Sequence, residues 1–490
     1  MYFSNVQSYR LSYTFYELYY PKHSPGRFLV KSTNDLKMPD LIVIGGGLAG
    51  SEAAWQAAQR GLKVHLYEMR PSVTTGAHVG DKLAELVCSN SLGSNQVDRS
   101  SGLLKEEIRQ MGSLLLQSAT ETALPAGGAL AVDREAFASR VTEAILSHPN
   151  IVVIREEVTE IPDQLTIIAS GPLTSKKLSE ALVTLTGSDY FFFYDAISPI
   201  VTIDSVNMEI AYPASRYARG KQAEGDYLNC PLDEDEYNDF VDALCSAQRI
   251  EIKEFEVEID RGVTAGIGKF FEGCLPVEIL ARRGRQTLAF GPLRPVGLID
   301  PRSGKHPYAA VQLRQDNLAG SYYNLVGFQT NLVFSEQRRV FRLIPGLEAA
   351  EFIRYGQMHR NTFIYSPELL QPTMQCNKRG NLFFAGQITG VEGYAGNIAT
   401  GLLAGLNAAR IFAGQEPVCL PETTLLGALC KYITQASRED YQPMKANFGL
   451  LPPLTLYEGG KKLRSKRDRG AAYANRSLAD LNAYLTCINS

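Results

Sequence analysis

The sequence predicts an α/β protein. Its main part is a parallel, nucleotide-binding sheet supplied by both ends of the chain, and a smaller α+β module interrupts it. Two glycine-rich turns predict the sheet, one near each end, each following a short apolar strand and opening a helix. A change of composition from about Ser205 predicts the interruption.

The first turn is the more specific of the two. Leu41, Ile42, Val43 and Ile44 form the unbroken apolar run of a buried parallel strand, and Gly45, Gly47 and Gly50 follow in the spacing G-x-G-x-x-G. Gly45 allows the tight turn, Gly47 admits a pyrophosphate beside the backbone, and Gly50 lets the next helix pack on the strand. Ser51 to Arg60 is alanine-rich and suits that helix, which Gly61 ends. Its N-terminus offers unpaired N–H groups to phosphate. Val64, Leu66 and Tyr67 make the second strand, and Glu68 stands where an acid accepts from ribose hydroxyls, favouring FAD or NAD over NADP. The glycine spacing alone is weak and a methyl-donor nucleotide fold can share it, but the whole strand, turn, helix, strand and acid unit is strong.

The late turn argues for a flavin. Leu382 to Ala385 is an apolar strand; Gly386, Gln387, Gly390, Glu392, Gly393 and Gly396 lead into an apolar helix over Ile398 to Phe412. Such a unit matches the second motif of two-part flavoproteins, whose helix N-terminus faces the flavin end of FAD. A Rossmann-like, glutathione-reductase-like FAD-binding domain is therefore expected. Its cradle would be Gly45, Gly46, Gly47, Leu48, Ala49 and Gly50, then Glu68, Met69 and Arg70, with Val158 and Gly171 from the middle of the domain. Gly386, Gln387 and Gly393 would close it. No further G-x-G-x-x-G lies between the two turns, so a nicotinamide reductant, NADH or NADPH, would visit an open flavin face.

Composition bounds the rest. The chain has 490 residues, enough for two or three cores, and its 45% apolar and 21% charged residues are those of a globular protein. A net charge of −3 excludes a uniformly basic nucleic-acid binder, so any RNA site must be a local patch. The eight cysteines make no C-x-x-C pair and no cluster with histidine, which suggests neither disulfides nor metal and fits a reducing, cytoplasmic setting. No apolar run is long enough to span a membrane.

Four parts are expected: an extension over 1–37, with Met38 an alternative start; a first FAD-binding part over 39–204; an insertion over 205–370; and a second FAD-binding part with a basic tail over 371–490. Gly102 to Thr120 reads as one helix with Lys105, Glu106 and Glu107 exposed, and Ile151 to Ile154, Val158 and Thr166 to Ala169 read as strands. The acidic run Asp233 to Asp239 marks the insertion. Gly262 to Lys269 resembles a P-loop superficially, but its glycine interval is wrong and Phe270 replaces the required Ser or Thr.

Four segments stand out chemically. Cys88 lies among the small and polar residues of Glu85 to Leu92, and Cys274 sits in the turn Phe271 to Pro276 with Arg282, Arg283 and Arg285 behind it. His359 and Asn361 form a hydrogen-bonding set, and Lys461, Lys462, Arg464, Lys466, Arg467 and Arg469 form a basic run. Each taken alone has an ordinary reading: a buried structural cysteine, a satisfied histidine, a solvated helix face.

Together they resemble one family. Gly45 to Glu52, Tyr67 to Pro71, Glu85 to Leu92, Gly102 to Glu107, Pro125 to Asp133, Phe271 to Pro276, Met358 to Phe363 and Leu382 to Tyr394 are similar to the bacterial folate- and FAD-dependent tRNA (uracil-5-)-methyltransferases. The likeness runs from about Met38 to the C-terminus; residues 1–37 lie outside it and Ala395 to Ile398 depart from it. The resemblance implies methylation at C5 of a T-loop uridine in tRNA, with carbon from methylenetetrahydrofolate and hydride from FAD reduced by NAD(P)H. It implies Cys274 as nucleophile and Cys88 as base, the two roles being exchangeable. His359, Asn361, Arg282, Arg283, Lys461, Lys462 and Arg464 would contact substrate. Competing readings are a wobble-uridine carboxymethylaminomethyl modifier, a small-molecule FAD oxidoreductase, and a non-catalytic flavin- or RNA-binding protein.

Overall fold

The computed structural model describes residues 38–490 except 76, 187–190, 217–224, 251–274, 438–440, 455–456, 459–460, 463–464 and 490; for 186, 191–196, 358–362, 457–458, 461–462 and 489 only the backbone is described. The expectations for residues 1–37 and for Gly262 to Lys269 therefore lie outside the described residues.

The first sheet has six strands in the order Gln375–Cys376, Arg379–Phe384, Thr166–Ile168, Leu41–Ile44, Val64–Tyr67 and Ile151–Ile154. Every neighbouring pair is parallel except the edge hairpin that ends in Arg379–Phe384. All four residues of Leu41–Ile44 are buried, as a central parallel strand requires. Leu382 pairs with Thr166, so the late strand joins the sheet laid down by the first part of the chain.

The two helices that follow the glycine turns cross in backbone contact. They are Leu48–Gln59 and Tyr394–Phe412, the latter beginning four residues before the expected Ile398. A Cβ on Gly401 would lie 2.2 Å from the Ala49 carbonyl oxygen, and one on Gly405 would lie 2.4 Å from that of Ala53. Only glycine fits, because the facing surface is backbone and cannot withdraw.

Three sequence expectations are corrected. Val158 lies in a loop, four residues past the strand Ile151–Ile154. Gly102 to Thr120 is two helices, Ser100–Gln110 and Leu114–Glu121. Gly112, at φ +78°, turns the chain between them, and Ser113 caps the second by accepting from the Leu116 N–H. Third, Lys105 and Glu107 are fully buried rather than exposed. The Glu107 carboxylate accepts from the N–H groups of Leu425 (2.6 Å) and Leu426 (2.9 Å) and from the Ser477 hydroxyl (2.6 Å). It thereby caps the helix Leu425–Gln435 and ties down the C-terminal helix Lys466–Asn489. Lys105 Nζ donates to the carbonyls of Leu92 (2.9 Å) and Ser94 (2.6 Å). Glu52 caps Leu114–Glu121 in the same manner, through the N–H groups of Leu114 and Leu115.

The second sheet is antiparallel throughout, in the order Tyr212–Ala214, Tyr227–Leu232, Ala309–Gln315, Tyr322–Leu325, Ile200–Thr202 and Phe352–Arg354. Its core includes Tyr237, Phe240, Phe328 and Phe341. The acidic run opens a helix, Glu234–Ser246, on which Asp233 and Glu236 make a reciprocal capping box. The strands Phe191–Ala196 and Met358–Phe363 pair where the chain passes between the sheets.

Gly401→Ala is expected to cost about 1–3 kcal/mol or more, because the added methyl must force the helices apart; thermal unfolding measures it. Burial pushes the Glu107 carboxyl up to about 7 against its hydrogen bonds. A raised folded pKa gives stability that is present below the unfolded value and lost as pH rises toward about 7. Glu107→Gln removes that loss, so denaturant unfolding should show the variant gaining on the native protein by a few kcal/mol between about pH 5 and 8.

Candidate active site

The glycine roles are visible in the first turn. Gly45 has φ +104° and its Cβ would meet the Ala169 carbonyl at 2.5 Å, while a Cβ on Gly50 would lie 1.8 Å from the Gly45 oxygen. Nothing lies within 4 Å of a Cβ on Gly47, which leaves that backbone open to a ligand. Gly47 and Gly393 are the N-caps of the two crossed helices, and neither helix has a side-chain cap, so both ends present their N–H groups.

One pocket receives both turns. Its walls carry Gly45, Gly47, Leu48 and Ala49 from the first turn, Glu68, Met69 and Arg70 from the second strand's end, Val158 and Gly171 from the middle segment, and Gly386 and Gln387 from the late turn. Gly46 and Gly50 stand behind this wall, and Gly393 packs against the Lys445 side chain. Tyr394 and Asn397, which sequence reasoning missed, also line it. Asn397 Oδ1 is buried without a hydrogen-bond partner, an acceptor aimed where a ligand must supply the donor. An uncapped pair of helix N-termini, an open glycine, an acid at the ribose position and an orphaned acceptor together fit FAD.

Glu68 is held in place rather than free. Its Oε2 accepts from the Gly46 N–H at 3.0 Å, and its Oε1 from Arg70 Nε at 2.9 Å and from the Arg70 N–H at 3.0 Å. Burial alone would raise this carboxyl, but the Arg70 guanidinium and the two N–H groups outweigh it and hold the pKa below the usual carboxylate value. Arg70 also reaches Glu85 at 2.8 Å, joining the ribose end to the segment that leads to Cys88.

Cys88 is half-buried and forms no disulfide. Its N–H donates to the Tyr394 hydroxyl at 2.9 Å, and the Ser89 N–H donates to the same oxygen at 3.1 Å. Burial pushes the Tyr394 phenol above its ordinary value, so it stays neutral. Arg134 donates to the carbonyls of Leu86 (2.6 Å) and Cys88 (3.0 Å), Arg354 to that of Val87, and Arg314 to Ser89 Oγ (3.1 Å) and Asn90 Oδ1 (2.7 Å). No periodicity announces these arginines, since each comes from a different element.

The other candidates are placed unevenly. Cys274 and Arg464 lie outside the described residues. Leu275, next to Cys274, is buried, and the Val277 N–H donates to the Gln329 carbonyl at 2.7 Å. Arg282 and Arg283 are exposed at the end of the helix Val277–Arg282, where Arg282 donates to the Cys245 carbonyl at 2.9 Å. Arg285 turns back to Asp242 at 2.6 Å. His359 and Asn361 lie on the strand Met358–Phe363, opposite Asp195 and Phe193, with only their backbone described. Lys461 and Lys462 form a short hairpin with Tyr457–Glu458. Lys466, Arg467 and Arg469 are exposed at the start of the last helix, and Arg467 pairs with Asp98 at 3.2 Å. Among the described residues no three His, Cys, Asp or Glu side chains converge as a metal site needs, and no helix is long and apolar enough to cross a membrane.

Residues 40–416 match the family model described as Glucose inhibited division protein A. The chain is 56% identical over 443 residues to "Methylenetetrahydrofolate--tRNA-(uracil-5-)-methyltransferase TrmFO" of Bacillus cytotoxicus, covering 90% of this chain and 98% of the relative. It is 55% identical over 450 residues to the protein of the same name in Halalkalibacterium halodurans, covering 92% and 99%. Among solved structures, Aquifex aeolicus GidA in its form I crystal is similar in fold, with a TM-score of 0.65 at 17% identity over 91% of this chain and 76% of that one. An FAD-type cradle closed from both ends of the chain and near full-length identity lead to one conclusion: the chain belongs to the Glucose inhibited division protein A family and, within it, to the methylenetetrahydrofolate-dependent tRNA (uracil-5-)-methyltransferases.

Proposed function

We propose that the chain methylates C5 of a T-loop uridine in cytoplasmic tRNA, taking the carbon from methylenetetrahydrofolate. The observation that carries this reading is the Tyr394 hydroxyl, which belongs to the nucleotide pocket's wall and receives the N–H groups of both Cys88 and Ser89. A cysteine segment is thereby fixed to the rim of a flavin site. The names of relatives 55–56% identical over almost their whole length support the same chemistry.

FAD, reduced by NAD(P)H, supplies the hydride when bound. The N–H groups after Gly47 would hold its pyrophosphate, Glu68 would accept from its ribose hydroxyls, and Asn397 would accept a hydrogen bond from it. Uracil C5 is a poor nucleophile. Addition of the Cys274 thiolate at C6 turns C5 into an enolate carbon able to attack the activated methylene. Cys88 then removes the C5 proton as the bond between the methylene and the folate nitrogen breaks, so tetrahydrofolate leaves and an exocyclic methylene remains at C5. A hydride adds to that methylene and the Cys274 thiolate leaves C6 as the C5–C6 double bond re-forms. The uridine is extruded from its loop to reach this rim. His359 and Asn361 bind the base, while Arg282, Arg283, Lys461, Lys462 and Arg464 hold nearby phosphates, in keeping with the exposure of Arg282 and Arg283.

The purified protein should form 5-methyluridine in an unmodified tRNA transcript only when methylenetetrahydrofolate is present; product without folate, or none with it, refutes the reading. Cys274→Ala should keep bound FAD yet lose both methylation and the covalent adduct with 5-fluorouracil RNA, and an adduct that survives would overturn the assignment of Cys274. Asn397→Leu should weaken FAD retention by about tenfold, since it leaves a buried donor of the cofactor unpaired; flavin absorbance after dialysis measures it.

A further inference from the structure

We infer that Arg134, Arg314 and Arg354 are positioning residues for Cys88: Arg134 and Arg354 clamp the carbonyls of its segment, Arg314 holds the two side chains that follow, and together they bring fixed positive charge to its thiol. The inference rests on the reading of Cys88 as a participating thiol only for its effect on turnover.

The clamp is continuous along the chain. Carbonyls of three successive residues, Leu86, Val87 and Cys88, are each taken by a guanidinium, the outer two by Arg134 and the middle one by Arg354. Arg314 takes the next two side chains, Ser89 and Asn90. Their origins differ. Arg134 opens the helix Arg134–Ser147 of the first part, whereas Arg314 and Arg354 belong to strands Ala309–Gln315 and Phe352–Arg354 of the second sheet. The second sheet therefore sets where Cys88 sits.

Arginine suits this task for two reasons. Its planar fork lets Arg134 span the Leu86 and Cys88 carbonyls with separate nitrogens while Nε faces Asp316 at 3.0 Å, which an ammonium cannot imitate. It also keeps its charge. Burial lowers the pKa of Arg314 and Arg354 from a value so high that both remain cations, and at Arg134 burial is outweighed by Asp316, Tyr394 and Cys88 together. Among the described residues, these three cations and the neutral Tyr394 phenol act on Cys88, while the Asp316 carboxylate is paired with Arg134 and Tyr227 lies beyond Arg314. Positive charge fixed beside a thiol favours the thiolate.

The test reads the thiol directly. Alkylation of Cys88 by iodoacetamide is followed by peptide mass spectrometry across pH in the full chain with its FAD, for the native protein and for Arg354→Met, Arg354→Lys, Arg314→Met and Arg314→Lys. Removing a cation disfavours the thiolate, so each Met variant should move the alkylation midpoint up by about one pH unit. Each Lys variant should recover at least half of that shift while leaving the hydrogen bonds of the fork impaired, to the Val87 carbonyl for Arg354 and to the Ser89 and Asn90 side chains for Arg314. In turnover, the Met variants should lose about tenfold in kcat with KM for tRNA nearly unchanged, because the segment is misplaced rather than the RNA. A midpoint that stays put in both Met variants, whatever their stability or FAD content, overturns the inference. Full methylation by Cys88→Ala would instead overturn the role proposed for Cys88, and it leaves the alkylation profile of the arginine variants untouched.

Discussion

The fold depends on a contact without side chains. Where Gly401 and Gly405 of one helix lie on the carbonyls of Ala49 and Ala53 of another, the two backbones approach as closely as chains can. This crossing brings the N-termini of helices that start 346 residues apart in the chain, at Leu48 and Tyr394, to one pocket. Helix N-termini attract phosphate and carbonyl oxygens only over about a turn's length, so two of them act on one ligand only if they converge. The parallel pairing of Leu382 with Thr166 makes the same connection one layer below.

Buried charge does the rest of the tying. Glu52 and Glu107 each occupy the N-terminus of a helix other than their own, and Glu278 accepts from Thr330 and the Asn331 N–H inside the second module. A carboxylate taken out of water is costly unless several donors meet it, and a helix start offers them already aligned. Glu68, Arg70 and Glu85 form a third tie, from the ribose end of the pocket toward the Cys88 segment. The site is thus a set of loops held by polar groups that are mostly buried.

The second sheet also reaches the Cys88 segment. An inserted module would ordinarily be read as a docking platform for substrate. Here it sends Arg354 to the Val87 carbonyl and Arg314 to the Ser89 and Asn90 side chains, one on each side of Cys88, while the helix Val277–Arg282 packs in its own core through Val277 and Ala281. Cofactor cradle and Cys88 segment are therefore tied to both sheets.

What the sequence determined by itself was everything governed by neighbours along the chain. The strand Leu41–Ile44, the turn at Gly45 to Gly50 and the position of Glu68 at the end of the second strand follow from apolar runs, glycine conformation and spacing, and Gly45, Gly47 and Glu68 line the pocket. The family likeness rested on such local segments too. The capping box at Asp233 and Glu236 was equally local, and the acidic run was noticed without being recognised as a helix start. Only the tertiary structure decided that Lys105 and Glu107 are buried, because a charge reads as solvent-facing until its distant partners, Leu92 and Ser94 or Leu425, Leu426 and Ser477, are in place. The same holds for Tyr394, Asn397 and the three arginines around Cys88: their roles come from contacts across up to 306 residues, which loop closure sets and local pattern does not record.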